Sequence, residues 1–253
     1  MVALGGHLLA HDGLEDIGAA LDALAGDELV FTHGNGPQVG ERYPDEALHA
    51  AVARTQAEIG AELAVALEAV CVITHVVVDP ADPAFGEPTK PIGPWLDERP
   101  DGDVIHDEER GWRRVVASPP PLEIVELSAI RALVEAGERV IACGGGGIPV
   151  AGGRGVDAVI DKDRASALLA EGIGAERLVV LTDVDAVLDG GGAPIERLTP
   201  AEAEALVPSL PAGSMGPKVE ACAAFVRATG GEALITSARA LGTRAGTRIA
   251  VRS

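Results

Sequence analysis

Short apolar runs alternate with longer segments of helical periodicity along most of the chain. The short runs predict strands at residues 1–4, 28–32, 139–142, 178–181, 233–236 and 247–251, with a further β-rich run at 71–78. The longer segments predict helices along the stripe Leu14, Ile17, Leu21 and Leu24 and at residues 47–70, 122–136 and 219–228. The segment Thr199–Glu202 has the form of a capping box and predicts one more helix start. Because such alternation is typical of βαβ units, the predicted fold class is α/β, a three-layer αβα sandwich with an open, mostly parallel central sheet.

The alternation fails between Asp79 and Pro121. That stretch holds most of the prolines and the acidic run DERPDGDVIHDEER, and it is too long for an ordinary loop. It predicts an inserted lid or subdomain, with a mobile surface loop as the alternative.

Composition and charge narrow the function classes. Apolar residues make up 47 % of the 253 residues and aromatic residues 2 %, so a large core of Ala, Val, Leu and Ile is expected. The net charge of −19 argues against nucleic acid and anionic membranes as partners. Cys71, Cys143 and Cys222 show no CxxC spacing, which predicts buried free thiols. With no bilayer-length apolar run and a strand beginning at Met1, we expect a cytoplasmic protein.

Three glycine clusters each follow a predicted strand: Gly5-Gly6, Gly34-Asn35-Gly36 and Gly144–Gly147. In an open parallel sheet the carboxyl ends of the strands form the ligand crevice, and glycine there exposes backbone N–H groups to anions. A single glycine pair would be explained by a tight turn, but three glycine clusters at one sheet edge indicate an anion or polyphosphate site. The P-loop pattern is absent, and Gly34, Gly36 and Gly40 miss the dinucleotide spacing by one residue.

The chain contains only three lysines, and each lies beside one of these motif-like segments. Lys162 in AVIDKDRAS and Lys218 in PAGSMGPK lie at predicted helix starts, where the helix dipole disfavours a cation. Lys90 lies between prolines in PTKP. This placement indicates a negatively charged ligand, with solvated surface lysines as the alternative.

Eight stretches resemble the carbamate kinases of the amino acid kinase superfamily and follow the family order over nearly the whole chain. They are VALGG, THGNGPQVG, VVVDPADPAFGEPTKPIGP, GWRRVVASPPPLEIVE, CGGGGIPV, GVDAVIDKDRASALLAE, LTDVDAV and GSMGPKVEA. The second and third are specific to carbamate kinases. The resemblance implies one amino-acid-kinase-like domain over residues 1–253, with an acid and phosphoryl site in the N-terminal half and a nucleotide site in the C-terminal half. It also implies a lid at roughly 85–118 that closes over the acid site, and a homodimer.

The resemblance further implies an ATP-dependent phosphotransferase that exchanges a phosphoryl group between ATP and carbamate, in arginine or agmatine breakdown, with Mg²⁺ bridging the phosphates. No dedicated metal site of the protein is expected. The implied catalytic residues are Lys162, Lys90, Asn35 and His7. The implied substrate and phosphoryl site comprises Gly5, Gly6, Gly34, Gly36, Gly144 and Gly145. The implied nucleotide site comprises Asp183, Ser214, Met215, Gly216 and Lys218.

His7 departs from the family pattern, which reads GGN where this chain reads GGH. Imidazole is larger than the Asn amide and can become cationic. Three hypotheses follow: His7 still donates to the phosphoryl group, it reshapes the pocket for another acid, or it marks a paralogue without catalysis. The alternative functions are thus a kinase of a different small acid and a non-catalytic protein that binds nucleotide or carbamoyl phosphate.

Overall fold

The computed structural model describes residues 1–5, 24, 29–211 and 214–251 of the chain. Within those residues the strands are β1 Val2–Leu4, β2 Val30–His33, β3 Val70–Cys71, β4 His75–Val77, β5 Lys90–Leu96, β6 Val104–Asp107, β7 Gly111–Val116, β8 Glu123–Ile124, β9 Val140–Ile141, β10 Ile148–Ala151, β11 Arg154–Gly155, β12 Arg177–Thr182, β13 Arg197–Leu198, β14 Glu232–Ser237 and β15 Thr247–Ala250. The helices are α1 Gly36–Arg42, α2 Leu48–Leu67, α3 Leu127–Glu135, α4 Lys162–Gly172, α5 Pro200–Leu206 and α6 Met215–Thr229.

Eight of the described strands form the main sheet in the order β13-β15-β14-β12-β1-β2-β9-β3. All neighbouring pairs are parallel except β14 and β15. The alternating side chains of β1 show why helices cover both faces. Ala3 packs on one face, in the cluster that contains Phe225 of α6, whereas Val2 and Leu4 pack on the other with Leu63 of α2. The predicted fold class is confirmed.

The parallel pairing brings the carboxyl ends of β1, β2 and β9 to one edge of the main sheet. The segments that follow these strands begin at Gly5, Gly34 and Ala142, and each leads into one of the glycine clusters. The prediction that the three clusters share one sheet edge is therefore confirmed for Gly5 and for the second and third clusters, because Gly6 lies outside the described residues.

Two sequence predictions differ from the structure. The predicted helix 122–136 begins only at Leu127, because Glu123–Ile124 pairs antiparallel with β4 and buries Ile124. The β-rich run 71–78 divides between two sheets, since β3 is an edge strand of the main sheet and β4 belongs to a four-stranded sheet. The predicted helical stripe that starts at Leu14 lies outside the described residues, apart from Leu24, which is buried.

The predicted insert contains a separate three-stranded antiparallel sheet in the order β5-β7-β6. Gly40 of α1 lies against Gly93 of β5 so closely that a Cβ atom built on Gly40 would be 2.0 Å from the Cα of Gly93. The small sheet is thereby attached to α1 by a contact between two backbones, which only glycine permits. Its closure as a lid over residues 85–118 stays a prediction.

Two further observations concern the chain as a whole. No helix among the described residues is long and apolar enough to cross a membrane. All three cysteines are free thiols, but only Cys143 and Cys222 are buried. The expectation of burial is wrong for Cys71, which is partly exposed because it lies on the edge strand β3.

Candidate active site

A cleft of about 550 Å³ lies between the carboxyl edge of the main sheet and the three-stranded sheet. Its walls include the turn after β2, the third glycine cluster, the first residues of α4, the small sheet and the first residues of α6. All three lysines of the chain, Lys90, Lys162 and Lys218, line it. The three are far apart in sequence, so their convergence is a property of the fold.

The turn after β2 supplies one wall of the cleft through Gly34, Asn35 and Gly36. Pro37 is in the first turn of α1, where its missing N–H group costs nothing. The Asn35 side chain is buried and donates from Nδ2 to Oγ1 of Thr55 on α2, at 2.9 Å. This bond fixes the amide at the cleft wall and leaves its second N–H to a ligand.

The third glycine cluster forms a tight turn against Asn35. Gly145 adopts φ +65°, and a Cβ atom placed there would be 2.0 Å from Nδ2 of Asn35. Gln56 of α2 holds this turn, since its Nε2 donates to the carbonyl of Gly144 at 2.9 Å while its Oε1 accepts from the backbone N–H of Thr74. Gly145 therefore must be glycine for Asn35 to lie where it does.

The start of α4 carries alternating charges. The Asp161 carboxylate caps the helix by accepting from the backbone N–H groups of Asp163, at 2.9 Å, and Arg164, at 3.3 Å. Lys90 of the small sheet also donates to Asp161, on its other oxygen. Burial by itself would raise the pKa of Asp161, but the Lys90 ammonium holds it below its ordinary value.

Asp163 joins the other two lysines. Its Oδ1 lies 2.9 Å from Nζ of Lys162, and its Oδ2 accepts from Nζ of Lys218 at 3.0 Å. Burial opposes ionisation of Asp163, yet the two ammonium groups hold its pKa below the ordinary value. Burial lowers the pKa of Lys162, and nearby Lys218 lowers it further, while Asp163 opposes the shift. Two ammonium groups are thus held on one carboxylate beside the cleft.

His33 lies behind the glycine turns and does not line the cleft. It is fully buried, its Nδ1 is 3.1 Å from the carbonyl oxygen of Gly34, and its Nε2 has no partner among the described residues. Burial lowers the pKa of His33 to about 4, and Lys162 contributes to the lowering. The side chain is therefore a neutral core residue at neutral pH.

The structure brings together some of the predicted site residues and leaves others apart. The described cleft is lined by Gly34, Asn35, Gly36, Lys90, Gly145, Lys162, Ser214 and Lys218. Gly5 and Gly144 are buried and do not line it, and neither do Met215 and Gly216. Asp183 lies in an exposed loop after β12. His7 and Gly6 lie outside the described residues.

Four residues with direct roles in this geometry are not among the predicted site residues. Thr55 and Gln56 are buried polar side chains on α2, and their signal is the pair TQ within an otherwise apolar helix face. Asp161 and Asp163 flank Lys162, and their spacing i, i+2 around a lysine is the available signal. Arg113 of β7 also lines the cleft, and its signal is its place in the stretch GWRRVVASPPPLEIVE.

Known proteins resemble this chain over most of its length. The amino acid kinase family matches the chain over residues 1–237. Carbamate kinase from Halobacterium salinarum is 41 % identical over 98 % of this chain and 97 % of that protein. Carbamate kinase 1 from Enterococcus faecium is 42 % identical over 88 % and 84 %. Carbamate kinase-like protein YqeA from Escherichia coli is 40 % identical over 93 % and 92 %.

Solved structures show the same similarity in three dimensions. Carbamate kinase from Giardia lamblia bound to citric acid superposes with a TM-score of 0.89 at 35 % identity, over 98 % of this chain and 97 % of that chain. The same enzyme bound to AMP-PNP gives a TM-score of 0.85 at 34 % identity, over the same shares of the two chains. The resemblance predicted from the sequence is confirmed.

Proposed function

The chain belongs to the amino acid kinase family, and we propose that it is a carbamate kinase, which transfers a phosphoryl group reversibly between ATP and carbamate. The observation that carries this proposal is the convergence of Lys90, Lys162 and Lys218 on one cleft of a protein whose net charge is −19. Such a concentration of positive charge suits a transferring phosphoryl group, for which catalysis is mainly positioning and charge neutralisation.

In the direction of ATP formation, an oxygen of the ADP β-phosphate attacks the phosphorus of carbamoyl phosphate. The new P–O bond forms as the bond to the carbamate oxygen breaks, and carbamate leaves with the electron pair. Lys162 neutralises charge on the transferring oxygens, and the turn Gly34-Asn35-Gly36 supplies neutral N–H donors to the same group. Asp163 keeps the ammonium group of Lys162 in position at 2.9 Å.

Nucleotide binding is assigned to the C-terminal half. Lys218 and Ser214 line the cleft, and we assign them to the ADP phosphates. Asp183, Met215 and Gly216 form the remainder of the proposed nucleotide site. Gly5, Gly6, Gly144 and Gly145 are proposed to shape the phosphoryl site. The small sheet over residues 85–118 is proposed to close and exclude water, which would otherwise accept the phosphoryl group.

Mg²⁺ fits this cleft as an ion held mainly by the phosphates. The described residues contain no group of three or more His, Cys, Asp or Glu that could form a metal site. Asp161 and Asp163 are the carboxylates able to contribute ligands, directly or through water, and both already face lysines. When bound, the ion would neutralise charge on the β- and γ-phosphates. A homodimer, a cytoplasmic location and a place in arginine or agmatine breakdown are further parts of the proposal.

A coupled assay with ADP and carbamoyl phosphate tests the function. We expect ATP formation by the wild-type protein and a loss of at least about 100-fold in kcat for Lys162→Met, since that change removes charge stabilisation of the transition state. Arg154→Gln, an exposed charge change on β11, serves as the matched control and should retain activity. A wild-type protein without turnover, but with nucleotide binding intact, would contradict the proposal and favour a binding protein or a kinase of another acid.

A substitution at His7 tests which small acid the protein phosphorylates. If the histidine has redirected specificity, His7→Asn should raise kcat/KM on carbamoyl phosphate, because it restores the neutral amide of the family pattern. The measurement compares the variant with the wild type on carbamoyl phosphate and on acetyl phosphate. Equal values for the two proteins would show that the substitution does not affect substrate choice.

A further inference from the structure

Five cationic side chains line the cleft, and four of them form an ion pair with a carboxylate of the described residues. Lys90 pairs with Asp161, Lys162 and Lys218 pair with Asp163, and Arg164 pairs with Glu220. The fifth cation is Arg113, which makes no ion pair with any carboxylate of the described residues. A positive charge at the wall of a cleft is thus left without an anionic partner from the described part of the chain.

Other contacts fix the position of Arg113. Its Nε donates to the carbonyl oxygen of Gly93 at 2.9 Å, and its guanidinium lies 5.7 Å from the centre of the Trp95 ring. It pairs across the small sheet with Ile105, which also lines the cleft. These contacts occupy Nε and one face of the guanidinium, and they leave the two terminal nitrogens for a ligand.

The neighbouring residue on β7 has a different environment. Arg114 donates from Nη1 to the carbonyl oxygen of Asp101 at 3.0 Å and lies over the Tyr43 ring. It does not line the cleft, because successive side chains of a strand point to opposite faces. The two arginines therefore carry the same charge and lie in the same small sheet, but only Arg113 faces the cleft.

Arg113 is half-buried, so its charge has lost part of its hydration without gaining a carboxylate. Burial lowers the pKa of its guanidinium, and the nearby charge of Arg110 lowers it further. An anion in the cleft would relieve both effects. A planar guanidinium donates two parallel hydrogen bonds to a carboxylate, whereas an ammonium acts as a point charge.

We propose that Arg113 binds the planar carbamoyl end of the acid substrate from the small-sheet side of the cleft, donating to the carbonyl oxygen of carbamoyl phosphate and to the carboxylate oxygens of carbamate. This inference rests on the proposed function and goes beyond it, since it assigns the recognition of the acid to a residue of the small sheet. Lys162 serves the transferring phosphoryl group, Lys218 serves the nucleotide phosphates, and Arg113 serves the part of the substrate that leaves as carbamate.

Steady-state kinetics of Arg113→Met and Arg114→Met test the assignment. We expect Arg113→Met to raise KM for carbamoyl phosphate by about 10- to 100-fold, with KM for ADP and kcat changed by less than about threefold. Arg113→Lys, which keeps the charge but loses the paired donors, should give an intermediate KM, and it replaces the Met variant if that variant does not fold. Inhibition by orthophosphate should be unchanged. Equal effects of the two arginine variants, an equal rise in KM for ADP, or weaker inhibition by orthophosphate would overturn the proposal.

A binding measurement separates this proposal from the proposed function. Both tryptophans of the chain, Trp95 and Trp112, lie in the small sheet, so selectively excited tryptophan fluorescence reports on that sheet. Carbamoyl phosphate should change the emission of the wild type and of Arg114→Met, with a dissociation constant at least about tenfold higher in Arg113→Met. That result would support the role of Arg113 even if no ATP is formed. A wild-type protein whose emission does not respond to carbamoyl phosphate would overturn it.

Discussion

At the scale of single residues, the site depends on contacts that leave no space for change. Gly145 adopts a left-handed conformation and lies directly against the Asn35 amide. Asn35 is in turn bound to Thr55, and the neighbouring Gly144 is bound to Gln56. A methyl group added to Gly145 would therefore displace the polar side chain of Asn35 in the cleft.

We predict that Gly145→Ala lowers kcat by at least about tenfold. The added methyl group would displace the Asn35 amide, and the left-handed backbone would be strained by roughly 1 kcal/mol or more. Turnover and thermal unfolding of the variant give the measurement. Gly174→Ala is the control, because Gly174 also has a positive φ, of 69°, but faces open space at the end of α4. An active Gly145→Ala variant would show that Asn35 need not lie where the structure has it.

The buried His33 predicts a dependence of stability on pH. Its pKa is about 4 in the folded protein and 6.5 when the imidazole is fully hydrated, as in the unfolded chain. Between these values the unfolded chain binds a proton that the folded chain does not. Stability is therefore complete above pH 6.5 and falls by up to about 3 kcal/mol as the pH decreases to 4. Asp161 and Asp163 have lowered pKa values, so their contributions are lost only at lower pH.

Urea unfolding of wild type and His33→Gln at several pH values between 4 and 7.5 measures this effect. The variant should show a flatter dependence over the interval from 6.5 to 4. The same slope in both proteins would mean that His33 is not the group responsible.

At the scale of elements, one of the contacts that attach the small sheet to the rest of the protein is its contact with α1. The contact between Gly40 and Gly93 has no space for a side chain on either residue. The position of β5, and with it the positions of Lys90 and Arg113, therefore depends on a helix that starts at the glycine turn. This contact adds to the ion pair of Lys90 with Asp161 and to the packing of Ile92 and Val116 in one cluster with Leu48 and Val159.

We predict that Gly40→Ala moves the small sheet away from α1 and raises KM for carbamoyl phosphate by about tenfold, with a smaller effect on KM for ADP. Gly40 lies within a helix, where alanine is otherwise favoured by roughly 1 kcal/mol, so any loss of stability must come from the contact. Gly86→Ala is the control, since a methyl group there makes only ordinary contact with the Pro83 carbonyl, at 3.6 Å. An unaltered KM in Gly40→Ala would indicate that the contact adapts.

The elements also show what the sequence can predict. The capping box of α5 and the positions of Lys162 and Lys218 at helix starts are local patterns, and the structure confirms them. The short strand β8 falls within a predicted helix because its pairing with β4, about 50 residues away, is not local. The roles of Gln56 and Arg113 in the cleft are not predicted for the same reason, because each depends on a contact with another segment of the chain.

At the scale of the whole molecule, a chain with a net charge of −19 gathers its lysines around one cleft. The surface repels anions in general, whereas the cleft attracts them locally. The same excess of negative charge destabilises the compact state through self-repulsion.

We predict that added NaCl stabilises the protein at neutral pH, because salt screens this repulsion. Melting temperature measured from about 20 mM to about 500 mM NaCl should rise, by roughly 2–4 °C for each kcal/mol gained. Sulfate and phosphate are avoided, since they would bind in the cleft and stabilise the fold by occupancy. A melting temperature that falls with NaCl would contradict the prediction.

The confinement of lysine to the cleft has a practical consequence. Because Lys90, Lys162 and Lys218 are the whole complement of ε-amino groups, the outer surface offers arginine but no lysine to an acylating reagent. Chemical acetylation or attachment to an amine-reactive matrix would thus modify ε-amino groups only in the cleft, and a ligand bound there would shield them.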